Sequence, residues 1–272
     1  MTRFDLFLFS TAPETIRPAA AAGIAGFIID WEWIGKEERQ TAADTEVNRD
    51  TVEDLRRARA ATRARLLCRL NAVGETTARE IEEAIEAGAD ELLLPMIRSP
   101  RDVEAVLARV GGRCGVGILV ETVDAAGRAC ELASLPLSRV YVGLNDLAIE
   151  RRTPHIFAPL ADGLLDRIRE AVDRPFGFGG LTVPERGHPL PCRLLIAEMA
   201  RLRCDFSFLR RSWRRDTAGR DPAVEVPRLL VALETARRRT PAEVASDREE
   251  LLETIASGRV PGLGKDSPGV SA

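Results

Sequence analysis

The sequence predicts an α/β protein, a (β/α)8 TIM barrel with an extra C-terminal helix. Three observations carry this expectation. Eight short, apolar, β-like runs recur along the chain, and stretches of helical periodicity lie between them. Neither GxGxxG nor GxxxxGK[ST] occurs, so the glycine fingerprint of an open nucleotide-binding sheet is absent. Eight strand-helix units in one chain is the count that closes a barrel.

The strand runs are DLFLFS, GFIIDWE, RLLCRLN, ELLLPM, GVGILVE, RVYVGLND, PFGFGG and DFSFLRR, beginning near positions 5, 26, 65, 91, 115, 139, 175 and 205. The helical patterns between them carry start and stop signals. DTVEDLRRARAA has Asp50 or Thr51 as its cap, and TAREIEEAIEAG has Thr76 or Thr77 before it and Gly88 behind. PRDVEAVLARV follows Ser99-Pro100, and DAAGRACELAS, LADGLLDRIREAV and CRLLIAEMARL come next. PAVEVPRLLVALETARRR is the eighth helix, so residues 1–240 make up the barrel domain. A further amphipathic helix is expected over 241–257. Its Val244, Leu251, Leu252 and Ile255 need a surface to cover, on this barrel or on a neighbour's. Residues 258–272 are rich in Gly, Pro and Ser and are expected to form a disordered tail.

Composition narrows the function classes. The chain has 272 residues, 45% of them hydrophobic and 30% charged, with a net charge of −3. That is too apolar for a disordered chain, and the mild acidity argues against a nucleic-acid partner. No apolar run approaches the roughly 20 residues that span a bilayer, so no membrane partner is expected. The opening residues lack the pattern of a signal peptide, and five cysteines without a CxxC pair suit reduced thiols in the cytoplasm.

Barrel chemistry belongs at the C-terminal ends of the strands. Strand two ends in Asp30 and Glu32, strand three in Arg69 and Asn71, strand five in Glu121, and strand six in Asn145 and Asp146. Strand seven runs into Gly179 and Gly180, and strand eight into Arg210 and Arg211. Glu121 and Asp146 could share one hard divalent cation, with Arg69 offering a planar fork to a substrate carboxylate. Alternatively these residues are rim ion pairs that stabilise the barrel mouth. On spacing alone both readings stand.

The segments GFIIDWEW, LLCRLN, EEAIEAGADELLLPMIRSPRDVEAV, GILVETVDAA and VYVGLNDLAIE resemble, in order and spacing, the HpcH/HpaI aldolase/citrate lyase family. That resemblance implies a barrel lyase of the phosphoenolpyruvate/pyruvate type, in which a divalent metal, Mg²⁺ or Mn²⁺, stabilises an enolate. It implies metal-binding roles for Glu121 and Asp146. Arg69 would hold the carboxylate of a 2-oxo acid such as pyruvate or oxaloacetate. Asp30 and Glu32 would serve the metal shell and its waters, and the backbone near Pro95 and Met96 would touch substrate.

The sequence also departs from the family. Where its aldolases carry D-x-E-H, this chain reads Asp30-Trp31-Glu32-Trp33, so an indole replaces the histidine base and is expected to narrow the pocket. His188 and His155, both on rim loops, are the candidate protein bases, although each also suits a surface role. Gly179, Gly180, Arg210 and Arg211 occupy the region where many barrels hold phosphate, or else the arginines pair with nearby acids. The leading expectation is an aldolase-type carbon-carbon lyase joining or separating a 2-oxo acid and an aldehyde. The alternatives are a citrate-lyase-like enzyme or condensing enzyme acting on a CoA ester, and a barrel that binds ligand or partner without catalysis. The resemblance also implies a homo-oligomer (dimer, trimer or hexamer), with the 241–257 helix exchanged between subunits.

Overall fold

The computed structural model describes residues 3–35 and 49–257, so the expected tail at 258–272 lies outside the described residues. The chain begins with β1 (Asp5–Phe9), α1 (Pro13–Ala22), β2 (Gly26–Asp30), α2 (Val52–Ala61), β3 (Arg65–Arg69) and α3 (Thr77–Glu86). It continues with β4 (Glu91–Leu94), α4 (Pro100–Val110), β5 (Gly115–Val120), α5 (Val123–Gly127), α6 (Ala129–Ala133) and β6 (Arg139–Val142). Then follow α7 (Leu144–Arg151), α8 (Ala158–Ala161), α9 (Leu164–Ala171), β7 (Phe176–Phe178) and α10 (Cys192–Arg201). The last elements are β8 (Phe206–Leu209), α11 (Arg211–Asp216), α12 (Pro222–Ala236) and α13 (Pro241–Ala256).

All eight apolar runs form strands, and they pair in sequence order into a closed barrel in which β8 returns to β1. Every pairing is parallel, with Phe7 opposite Phe208 and Asp30 opposite Arg69. Because strand side chains alternate, each strand feeds two cores. Phe27, Ile29, Leu66, Cys68, Leu92 and Leu94 face the helices. Phe7, Ile28, Leu67, Leu93, Leu119, Phe206 and Phe208 fill the barrel itself.

At the N-terminal end of the barrel, Glu91 accepts from Arg139 (Nη2 to Oε2, 2.7 Å) and from the Ser138 hydroxyl at 2.8 Å. The Arg139 guanidinium lies 4.3 Å from the Phe7 ring centroid and 4.8 Å from that of Phe206. This buried pair and the aromatic layer form a packed floor, with both oxygens of Glu91 hydrogen-bonded.

Several helix signals act as expected. Thr51 caps α2 in a reciprocal box with Asp54, and Ser99 caps α4. Two expected helices are each broken in two. DAAGRACELAS divides at Arg128, and LADGLLDRIREAV divides at Gly163, whose φ of 74° leaves the helical region. Strand six stops at Val142 rather than at Asp146. Gly143 caps a helix there, which places Asn145 and Asp146 in the first turn of α7.

The C-terminal helix α13 lies on its own barrel. Thr240 caps it, and its Leu251 and Ile255 are buried. Arg248 spans the joint, with Nη1 2.6 Å from Glu198 Oε1 and Nη2 donating to the Leu160 carbonyl at 2.8 Å. No helix among the described residues is long and apolar enough to cross a membrane.

Candidate active site

A cavity of about 330 Å³ opens at the C-terminal mouth of the barrel. Its walls bring together Arg69, Glu121 and Asp146 with Gly179, Gly180, Arg210, Arg211 and His188, so most residues expected at the site share one space. Asp30, Glu32, Trp33, Pro95, Met96 and His155 are not part of that lining.

Asp30 and Glu32 stand behind Arg69. Arg69 donates from Nε to Asp30 Oδ1 at 2.8 Å and from Nη2 to Oδ2 at 2.7 Å, and its Nη1 lies 3.1 Å from Glu32 Oε2. Arg210 adds a second guanidinium 3.4 Å from Asp30 Oδ2. Burial opposes the charge of Arg69, but Asp30 and Glu32 more than offset it and hold the guanidinium firmly protonated. Both carboxylates therefore hold Arg69. The side-on fork of Arg69 is spent on Asp30, so only its Nη edge is left for the cavity.

The Met96 amide is likewise committed, donating to Glu121 Oε1 at 2.8 Å. To aim it, Met96 adopts a positive φ of 53°, which is uncommon for a residue with a Cβ. The expected backbone contact to substrate at Pro95 and Met96 is thus a clamp on Glu121. Gly143 makes room on the other side, since a Cβ there would come within 2.8 Å of Glu121 Cβ. Glu121 is buried, and its carboxyl is pushed well above the usual range, first by burial and then by Asp146 and Glu32, with Arg69 opposing.

Trp33 does not narrow the cavity. Its indole is 48% exposed, with the Arg49 guanidinium 5.8 Å from the ring centroid. The reason lies in the next strand, where Asn71 Oδ1 accepts from the Trp33 and Ile34 amides at 3.0 and 2.9 Å and turns the chain outward over the rim. Asn71 is itself held by buried Glu80, which takes its amide at 3.1 Å and its side-chain Nδ2 at 2.8 Å.

Of the two histidines, His188 faces the cavity. His155 sits beside it, half-buried, with burial pulling its imidazole below the ordinary range. Gly179 lies against the Tyr141 hydroxyl, where a Cβ would overlap the oxygen. Sequence reasoning passed over Tyr141 altogether, because V-Y-V reads as plain strand.

No family model matches the chain. Its fold is shared with three solved barrels. Against an HpcH/HpaI aldolase from Desulfitobacterium hafniense DCB-2 the TM-score is 0.60 at 13% identity, over 88% of this chain and 95% of that one. Against RipC from Yersinia pestis it is 0.57 at 18% identity, over 89% and 98%. Against the citrate synthase SbnG it is 0.55 at 19% identity, over 76% and 86%. At such identities the likeness establishes the fold. A type III pantothenate kinase from Mycolicibacterium gilvum (strain PYR-GCK) is 39% identical over 87 residues, 30% of this chain. The match spans 31% of that kinase's length, and nothing about the whole chain follows from it.

Proposed function

We propose that the protein is a divalent-metal-dependent carbon-carbon lyase of the aldolase type, acting on a 2-oxo acid of the pyruvate or oxaloacetate kind. The observation that carries this reading is the meeting of Glu121, Asp146 and Arg69 on one cavity, with the Glu121 carboxyl raised first by burial and then by the charge of Asp146. Among the described residues no group of three or more His, Cys, Asp or Glu is placed to hold a metal. A pair of carboxylates suits Mg²⁺ or Mn²⁺, which keep several positions for water and substrate, better than a closed zinc site.

Glu121 and Asp146 would hold the ion, which when bound supplies Lewis acidity towards an oxygen of the oxo acid. Glu121 is already oriented by the Met96 amide, so little side-chain freedom is lost on binding. Arg69 would meet the substrate carboxylate with its Nη edge, kept in place by Asp30 and Glu32. Arg210, Arg211 and His188 give the cavity a further cationic or protonatable lining for the second reactant, an aldehyde or a CoA ester. A citrate synthase among the barrels of this fold favours, as a second reading, bond formation rather than cleavage on the same site. Both readings take the enzyme as a homo-oligomer in the cytoplasm, and a monomeric mass in solution would contradict the first part of that.

The test is calorimetric titration of metal-stripped protein with Mn²⁺, followed by pyruvate, oxaloacetate and oxalate. Binding of metal and then oxalate, both lost in Asp146→Ala, is the expected result. Wild-type protein that takes up no metal overturns the reading.

A further inference from the structure

Tyr141 is the only tyrosine in the sequence. It sits on β6 between Val140 and Val142, which face the helices, so strand alternation turns its ring into the barrel. There it stacks on Phe208, with centroids 4.0 Å apart and ring planes 14° apart, which fixes the direction of the phenol axis. The hydroxyl ends against Gly179, whose missing side chain is what admits the oxygen. Tyr141 lines the same cavity as Arg69, Glu121 and Asp146.

Among the described residues no acceptor takes the hydrogen of this hydroxyl, and the half-buried side chain leaves it open to the cavity. A ring held by stacking, an oxygen admitted by a glycine and a donor left to the cavity together describe a group that awaits a ligand. We propose that the Tyr141 hydroxyl binds substrate, donating a hydrogen bond to a carbonyl or carboxylate oxygen of the 2-oxo acid held between Arg69 and the Glu121–Asp146 wall. This rests on the function proposed above and adds a neutral donor beside Arg69, Glu121 and Asp146. Burial keeps the phenol protonated far above neutral pH, although Arg210 and Arg69 pull the other way, so it serves as a donor and not as a base. Such a donor discriminates in favour of oxygen at one position, because an analogue without that oxygen leaves the hydroxyl unpaired.

A single tyrosine makes the test direct. Protein carrying 3-fluorotyrosine gives one ¹⁹F line, from position 141. Oxalate added in the presence of Mg²⁺ should move that line beyond any change caused by Mg²⁺ alone. In parallel, Tyr141→Phe, which keeps the ring on Phe208, should bind Mg²⁺ as the wild type does and oxalate about tenfold more weakly, the loss of one hydrogen bond. An unmoved line, or wild-type oxalate affinity in Tyr141→Phe, overturns the assignment while leaving the oxo-acid site intact. Wild-type protein that binds no oxalate with Mg²⁺ overturns both.

Discussion

Arg69 and Asp30 meet edge to edge across neighbouring strands, Nε to Oδ1 at 2.8 Å and Nη2 to Oδ2 at 2.7 Å, and both are buried. Strand register produces the pair, because Asp30 on β2 lies opposite Arg69 on β3. Removing one partner of such a pair leaves the other charge buried and only partly compensated by Glu32. Asp30→Asn should therefore cost about 3 kcal/mol of stability, measured by denaturant unfolding, and should weaken oxalate binding by letting the guanidinium rotate. An unchanged midpoint would mean that the pair is replaceable.

Asn71 ties two loops together through one side chain. Asn71→Ala leaves the Trp33 and Ile34 amides without their acceptor and takes one of its two Asn71 hydrogen bonds from the buried Glu80 carboxylate, which keeps the backbone amide. A loss of about 2 kcal/mol is expected, with faster hydrogen exchange at residues 33 and 34 as the specific sign.

Gly143 has φ −83°, which any residue adopts, so its requirement is steric and not conformational. In Gly143→Ala the added methyl meets Glu121 Cβ at 2.8 Å. Overpacking should cost about 1–3 kcal/mol. Because the residue displaced is Glu121, Mn²⁺ affinity should fall with it, as calorimetry would show. Wild-type affinity would separate Glu121 from the metal.

Asp50 offers a prediction about pH. Its carboxyl accepts the Asp30 amide at 2.8 Å, yet burial, with Asp30 and Asp54 adding to it, pushes the group from 3.8 up to about 6. The folded state thus holds the proton more tightly than the unfolded chain does. The cost of ionising Asp50 is absent below 3.8, grows as the pH rises to about 6 and stays constant above it. Asp50→Asn removes that cost, so relative to wild type it should gain up to about 1 kcal/mol at pH 7.5 over its value at pH 4, after discounting for solvent at this half-buried group. Parallel thermal melts at the two pH values check this.

The strands were legible because each is a short apolar run closed by a polar residue at the mouth. Spacing then placed Arg69 and Glu121 at the site. Asp146 was found for the right wall but on the wrong element, since Leu144 continues the apolar run that Gly143 ends. What faces what could not be read, because register between strands is not written in either strand. Hence Asp30 and Glu32 looked like cavity groups when they serve Arg69, and Trp33 looked like a pocket wall when Asn71 turns it outward. The positive φ of Met96 gives no sequence signal at all in a methionine. Tyr141 had one, a polar-tipped aromatic on an inward strand position facing a glycine pair after the next strand, visible only once β6 and β7 are set side by side.

The packed floor made by Glu91, Arg139, Phe7 and Phe206 gives the barrel a dead end. A molecule seated deep against Glu121 has protein beneath it and the later arrival above it. Two reactants of the kind proposed above would form a stack in such a well, the first one in being the last one out. Order of addition and of release would then be a property of how the barrel's lower end is filled, set by aromatic rings that never meet either reactant.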